Sequence, residues 1–279
     1  MPNPSIHPHI PNADKTDAVE LRFEDRGGGF PLVLLHGYCG DGRYWSEVVP
    51  ALAAKYRVIV PDLRGHGGSP APDGVYSMES LADDVIRLMD RLGIGRAFLF
   101  GHSLGGYVAL ALAERHPERL LGFGLIHSTP LPDTEAGKEG RLAAAERIRT
   151  EGVKPFVDGL VPKLFAPAHR TSMADRVNAA LEIGYGTSPR GAVGCALGMR
   201  ERPDRTAVLR RTALPILLLA GELDEVVPPE RRFPVDLPHI RAVTLPGSGH
   251  MSMMEDPERL SGELTAFLEA IPGAGENAE

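Results

Sequence analysis

Six short stretches of the chain, residues 31–36, 57–61, 97–101, 120–127, 215–220 and 241–245, are apolar almost throughout instead of at every second position. A strand that alternates buries one face, whereas one that does not needs cover on both. That is the pattern of a parallel sheet held between helical layers. Between the second and third stretches Leu81, Val85, Leu88, Met89 and Leu92 recur at three- and four-residue spacing, with Asp83, Asp84, Arg87 and Asp90 between them. This predicts an amphipathic helix whose stripe faces the sheet. Residues 104–116 and 257–270 predict two more helices, the first apolar nearly all round and so expected to lie deepest. Alternation of strand and helix gives an α/β fold with a mostly parallel central sheet flanked by helices.

The alternation lapses between residues 130 and 211, where helical pieces are predicted around 137–150, 168–183 and 190–200. Some 80 helical residues inserted between two sheet strands predict a cap over the strand ends, where ligands bind in open parallel sheets. The expected organisation is a flexible tail over residues 1–18, a core over 19–129 and 212–279, and a helical cap over 130–211.

Composition narrows the function classes. With 43% hydrophobic and 24% charged residues among 279, the chain can bury a substantial core. The net charge of −7 is spread along the sequence, and without a Lys/Arg cluster nucleic acid is excluded as a partner. No apolar run approaches the ~20 residues of a membrane span. Two distant cysteines, Cys39 and Cys195, make no disulfide framework, so a reducing, cytoplasmic setting is expected.

The sharpest local signal is Gly101-His102-Ser103-Leu104-Gly105-Gly106, between a predicted strand and a predicted helix. Small neighbours permit a tight strand-to-helix turn that lifts the Ser103 hydroxyl above the sheet, and the new helix aims unpaired N–H groups at whatever binds there. A serine hydroxyl is a weak nucleophile at neutral pH. It needs a base in hydrogen-bond reach and donors for the charge that develops on a carbonyl oxygen. The loop His36-Gly37-Tyr38-Cys39-Gly40 leaves the first strong strand through glycines, so the backbone N–H groups of Tyr38 and Leu104 are the expected oxyanion donors.

Four motifs together make the chain, from residue 19 onward, resemble an α/β-hydrolase of the capped, esterase- and lactonase-like branch. They are His36-Gly37-Tyr38, Asp62-Leu63-Arg64-Gly65-His66-Gly67-Gly68-Ser69, the Ser103 turn, and the pair Gly221-Glu222-Leu223-Asp224 with Gly247-Ser248-Gly249-His250. The resemblance implies Ser103 as nucleophile, Asp224 as acid and His250 as general base, and it implies no cofactor. The pattern agrees, because Asp224 and His250 each follow a predicted strand and fall at one sheet edge. The expected reaction is acyl transfer to water from a small carboxylic ester or lactone. C–C bond hydrolases, cofactor-free perhydrolases and receptor-like members that bind a small signal molecule share the same constellation. A serine at the elbow sets the chain apart from relatives that use aspartate.

Other residues are expected to be structural. His7 and His9 fall in the tail and His169 in the insertion; His36, His66 and His102 belong to turns; His116 ends a helix; His239 has no special role. His127, closing a core strand, is the one rival for the site. Among acids, Glu222 and Glu225 flank Asp224, Asp133 opens the insertion as an alternative acid, and Asp62 either pairs with the Arg64 turn or caps backbone donors. Cys39 is expected to be a small buried residue. Gly27-Gly28-Gly29 is read as a turn and not as a dinucleotide loop. No H-E-x-x-H or paired C-x-x-C spacing supports a metal site. The apolar residues Phe156, Leu160, Leu164, Phe165, Leu197 and Met199 of the insertion are expected to wall a pocket or to pack within the cap.

Overall fold

Five of the six apolar stretches form the interior of the sheet or its flank, and the sixth forms its edge. The computed structural model describes residues 18–272, so the expected tail lies, except for Ala18, outside the described residues. The strands are β1 (Phe23–Arg26), β2 (Pro31–Leu35), β3 (Arg57–Pro61), β4 (Ala97–His102), β5 (Leu120–Ile126), β6 (Ile216–Gly221) and β7 (Ile240–Leu245). They make one sheet in the order β1-β3-β2-β4-β5-β6-β7. All neighbours are parallel except β1, which runs antiparallel to β3.

β1 was not anticipated, because Phe-Glu-Asp-Arg is a short polar segment mostly open to solvent. Its charges suit an edge, where they discourage pairing with another chain. β7 also departs from expectation, since only Leu245 of its six residues is fully buried. As the opposite edge, it has no strand beyond it.

The helices are α1 (Val49–Ala53), α2 (Met78–Arg91), α3 (Leu104–Arg115), α4 (Glu135–Glu151), α5 (Val153–Leu164), α6 (His169–Ser172), α7 (Ala174–Tyr185), α8 (Pro189–Glu201), α9 (Thr206–Arg211), α10 (Ser252–Glu255) and α11 (Pro257–Glu269). Ser77 starts α2 by accepting the Ser80 N–H at 3.1 Å, a side-chain cap that satisfies one free helix donor. Every residue of α3 from Leu104 to Ala113 is buried, as its unbroken apolarity requires. α3 packs on β4, β5 and α2.

Helices α4 to α9 all lie between β5 and β6. This insertion returns to the loops at the carboxyl ends of the strands. Tyr38 Oη donates to Ala192 O at 2.8 Å, and the Ser188 and Tyr76 N–H groups bond Gly65 O and Gly194 O at 3.1 and 3.0 Å. α5 was unexpected, its helical spacing being obscured by Pro155 and Pro162. The single predicted helix over 168–183 is divided at Met173 into α6 and α7. Among the described residues, no helix is long and apolar enough to cross a membrane.

Candidate functional site

β4 passes into α3 through Ser103, whose backbone lies at φ +50° and ψ −110°. For a residue with a side chain this conformation costs on the order of 1–3 kcal/mol, and the surroundings impose it. A Cβ on Gly101 would lie 2.1 Å from Gly105 O, and one on Gly106 would lie 2.4 Å from Ser128 Oγ. The Ser103 N–H donates to Ile126 O at 2.9 Å, and Ser103 O accepts from the Gly106 N–H at 2.9 Å and from Ser128 Oγ at 2.8 Å. The backbone is thus fixed at both ends while the hydroxyl stays free. Cys39, Ser103 and His127 are the non-glycine residues with positive φ among those described. They follow β2, β4 and β5, so backbone strain is concentrated at one edge of the sheet.

The loop after β2 reaches this turn because Gly37 has no side chain. A Cβ there would lie 2.5 Å from His102 Nδ1 and 3.4 Å from Ser103 Cβ. Among the described residues neither the Tyr38 nor the Leu104 backbone N–H has a protein acceptor. Two histidines hold the loop. His36 Nε2 accepts the Leu63 N–H at 2.9 Å, and His66 Nε2 accepts the Cys39 N–H at 3.3 Å. Both rings must be neutral to accept. Burial pushes His36 down, and burial together with the neighbouring His36 pushes His66 to about 3.

Asp62 caps backbone donors, taking the Gly42 and Gly68 N–H groups at 2.9 and 2.8 Å. Arg64 pairs instead with buried Asp84 of α2. Burial raises the Cys39 thiol to about 12, which keeps it a neutral packing group.

On the far side of the elbow, Asp224 and His250 meet. His250 Nδ1 lies 2.8 Å from Asp224 Oδ2, and Asp224 Oδ1 accepts the Val226 and Val227 N–H groups at 2.8 and 3.0 Å. Burial opposes the Asp224 charge, but attraction to His250 and the hydrogen bond with His250 outweigh it, holding the carboxyl far below its usual range. His250 Nε2 is buried without a hydrogen-bond partner, Ser103 Oγ included. The His250 ring lies 5.0 Å, centroid to centroid, from that of His102, the residue before Ser103. His102 Nε2 in turn contacts His250 O at 2.9 Å.

His127, the rival histidine, is fully buried behind Asp224. Its Nδ1 accepts the Gly221 N–H at 3.1 Å and lies 3.3 Å from Asp224 Oδ2, while its Nε2 contacts Ser252 Oγ at 2.7 Å. Both ring nitrogens are therefore occupied. His127, Asp224 and His250 are the grouping of potential metal ligands among the described residues, but the fold's own hydrogen bonds use most of their ligand atoms.

The His250 loop is clamped to the insertion through Glu255. Its buried carboxylate accepts the Gly249, Met251 and Ala166 N–H groups at 2.8, 3.1 and 2.7 Å and contacts His169 Nδ1 at 2.9 Å. The His250 N–H donates to Leu164 O at 2.7 Å. Sequence reasoning missed Glu255. Its signal is an acid directly after Met251-Ser252-Met253-Met254, three methionines in four residues, a place where a charge needs several donors to be buried. His169, read as solvated, is part of this clamp.

Of the remaining expectations, Glu222 accepts the Gly247 N–H at 3.0 Å, Glu225 pairs with Arg170, and Asp133 binds Arg141 and Arg202. None of these reaches His250. Phe156 packs edge-on against Tyr38 with ring centroids 5.8 Å apart. Leu197 lines a separate surface groove with Asp73 and Arg190.

The buried neutral histidines make stability fall with acid. A base whose folded pKa lies below its unfolded value near 6.5 binds protons preferentially in the unfolded chain, so stability is lost as pH drops below that value. His66, at about 3 when folded, accounts for about 2 kcal/mol between pH 7 and pH 5. His102 adds loss in the same direction, being pushed well down by burial and by the charges of His250 and His127. Urea melts at the two pH values are expected to show at least this decrease. An unchanged midpoint with an unchanged slope would contradict it.

A family model described as alpha/beta hydrolase fold matches residues 31–257. The chain is 35% identical over 255 residues to the dihydrolipoyllysine-residue acetyltransferase component of an acetoin cleaving system from Pseudomonas putida; the match takes in 89% of this chain and 66% of that protein. Among solved structures, a thermophilic esterase from Thermogutta terrifontis, with malate bound, superposes with a TM-score of 0.87 at 37% identity over 91% of this chain and 94% of its own. The enol-lactonase from Burkholderia xenovorans gives 0.84 at 27% identity over 90% and 97%. The family match over most of the chain, the parallel sheet and the strained turn after β4 together show that the chain belongs to the alpha/beta hydrolase fold family.

Proposed function

We propose that this hydrolase cleaves a small carboxylic ester or lactone through an acyl-enzyme formed on Ser103. The observation that carries the reading is the Asp224–His250 hydrogen bond of 2.8 Å, with the opposite ring nitrogen buried and unpartnered beside the elbow. Such a nitrogen is suited to accept a proton from the Ser103 hydroxyl. Hydrogen bonds of this kind are often long until substrate binds.

In the first step Ser103 Oγ bonds to the carbonyl carbon and its proton passes to His250 Nε2. The carbonyl oxygen, now negative, rests against the Tyr38 and Leu104 N–H groups. Collapse breaks the bond to the leaving oxygen, which takes the proton from His250. Water then repeats the sequence on the acyl group and restores Ser103. Asp224 fixes the imidazole tautomer and balances the imidazolium. The helical insertion serves as a cap: through Leu164, Ala166 and Glu255 it also fixes the loop that carries the base. The esterase and enol-lactonase likenesses support a small acyl substrate, and two unpaired buried thiols, Cys39 and Cys195, suit a reducing compartment.

Incubation with a fluorophosphonate followed by peptide mapping is expected to place a single adduct on Ser103, with loss of p-nitrophenyl butyrate turnover in proportion to labelling. Labelling at another residue, or turnover that survives full labelling, would overturn the assignment.

A further inference from the structure

One carboxylate near the elbow holds two guanidinium groups. Asp133 Oδ1 accepts from Arg202 Nη2 at 2.8 Å, and Asp133 Oδ2 accepts from Arg141 Nε at 3.1 Å. The charges do not balance, so one positive charge is left over. Arg202 is not the group open to a ligand. It is buried, its Nη atoms donate to Met199 O at 2.8 Å and Leu131 O at 3.2 Å, its unpartnered Nε is enclosed, and its guanidinium lies 3.9 Å from the centre of the Tyr107 ring.

Arg141 of α4 differs. Among the described residues only its Nε has a protein partner, which leaves the paired Nη1 and Nη2 donors to be satisfied by something else. Its side chain keeps 27% of its surface accessible, so these donors can be met by a ligand.

The position of Arg141 follows from its neighbours. Tyr107 lies in the first turn of α3, four residues after Ser103. Through Arg202 and Asp133 it ties Arg141 to the elbow. The charge of Arg141 acts on the Tyr38 hydroxyl and the Cys39 thiol, where it opposes the upward push of burial. Arg141 thus lies within Coulombic range of the loop offering the Tyr38 N–H.

We propose that Arg141 is a substrate-binding residue whose free Nη pair grips a carboxylate carried by the acyl substrate away from the scissile carbonyl. The substrate class is then an anionic half-ester, or a lactone bearing a carboxylate, and the product of hydrolysis is a dianion. The planar fork of a guanidinium matches a carboxylate with two parallel hydrogen bonds, and a site partly shielded from water strengthens them. This inference rests on the acyl-transfer reading of Ser103 and His250 and adds a preference for charge.

The test compares mono-p-nitrophenyl glutarate and adipate with the neutral p-nitrophenyl pentanoate and hexanoate, after subtraction of spontaneous hydrolysis. The wild type is expected to favour the anionic member of each pair at least tenfold in kcat/KM. Arg141→Gln is expected to bring that ratio to near one, through a higher KM for the anionic ester, and Arg141→Lys to retain part of it. The ratio cancels any loss common to both esters, so partial misfolding does not imitate the effect. A wild-type ratio of one or less, or an Arg141→Gln ratio equal to the wild type's, would overturn the inference while turnover itself still supports the serine mechanism. Absence of turnover on all four esters, with Ser103 unlabelled by fluorophosphonate, would remove the mechanism and this inference with it.

Discussion

Ser103→Ala is expected to lower kcat on p-nitrophenyl butyrate by about 10⁵- to 10⁶-fold, the scale on which a nucleophile acting together with its base fails when removed alone. The fold should be nearly indifferent. Ser103 Oγ makes no hydrogen bond among the described residues, so its loss strands no buried partner. The strained backbone at φ +50° costs alanine about what it costs serine, because both carry a Cβ. A melting curve within about 1 kcal/mol of the wild type is therefore the control. Combined with lost turnover it would separate chemistry from folding. Residual hydrolysis from the Tyr38 and Leu104 donors should stay above the uncatalysed rate, since oxyanion stabilisation does not require the nucleophile. Undiminished kcat in this variant would show that Ser103 is not the reacting group.

What could be seen in the sequence, and what could not, follows from how far each interaction reaches along the chain. Strands β2 to β6 were legible because their burial is written in consecutive apolar residues. β1 was not, because Glu24, Asp25 and Arg26 at an exposed edge carry no such record. The glycines of the elbow pointed to a tight turn by local sterics alone, and the positive φ of Ser103 bears this out. Contacts made between distant segments leave a fainter trace. Asp84 fitted the polar side of α2 by spacing, yet it is buried against Arg64 from the loop after β3. His127 gave no sign that its ring would lie behind Asp224, 97 positions further on, with Nδ1 on the Gly221 N–H and Nε2 on Ser252. Arg141 is one arginine among several on α4. Only the charge of Asp133, shared with Arg202, singles it out.

Asp224→Asn tests the other half of the constellation, and kcat is expected to fall by about 10⁴-fold. The physical reason is the tautomer. In the wild type a carboxylate oxygen 2.8 Å from His250 Nδ1 requires a proton on that nitrogen, which leaves Nε2 free to accept. An asparagine amide in the same place offers N–H, and the ring answers by moving its proton to Nε2, where it can no longer receive one from serine. The amide oxygen can still take the Val226 and Val227 N–H groups, so the turn that bears residue 224 should persist and the circular dichroism spectrum should be unchanged. His127 does not substitute as base, because Gly221 and Ser252 occupy its nitrogens. Asp224 is held far below the usual carboxylate range and stays ionised at every working pH, so its charge is always present to orient the ring. A variant that kept more than a tenth of wild-type kcat would show that the carboxylate does not set the tautomer.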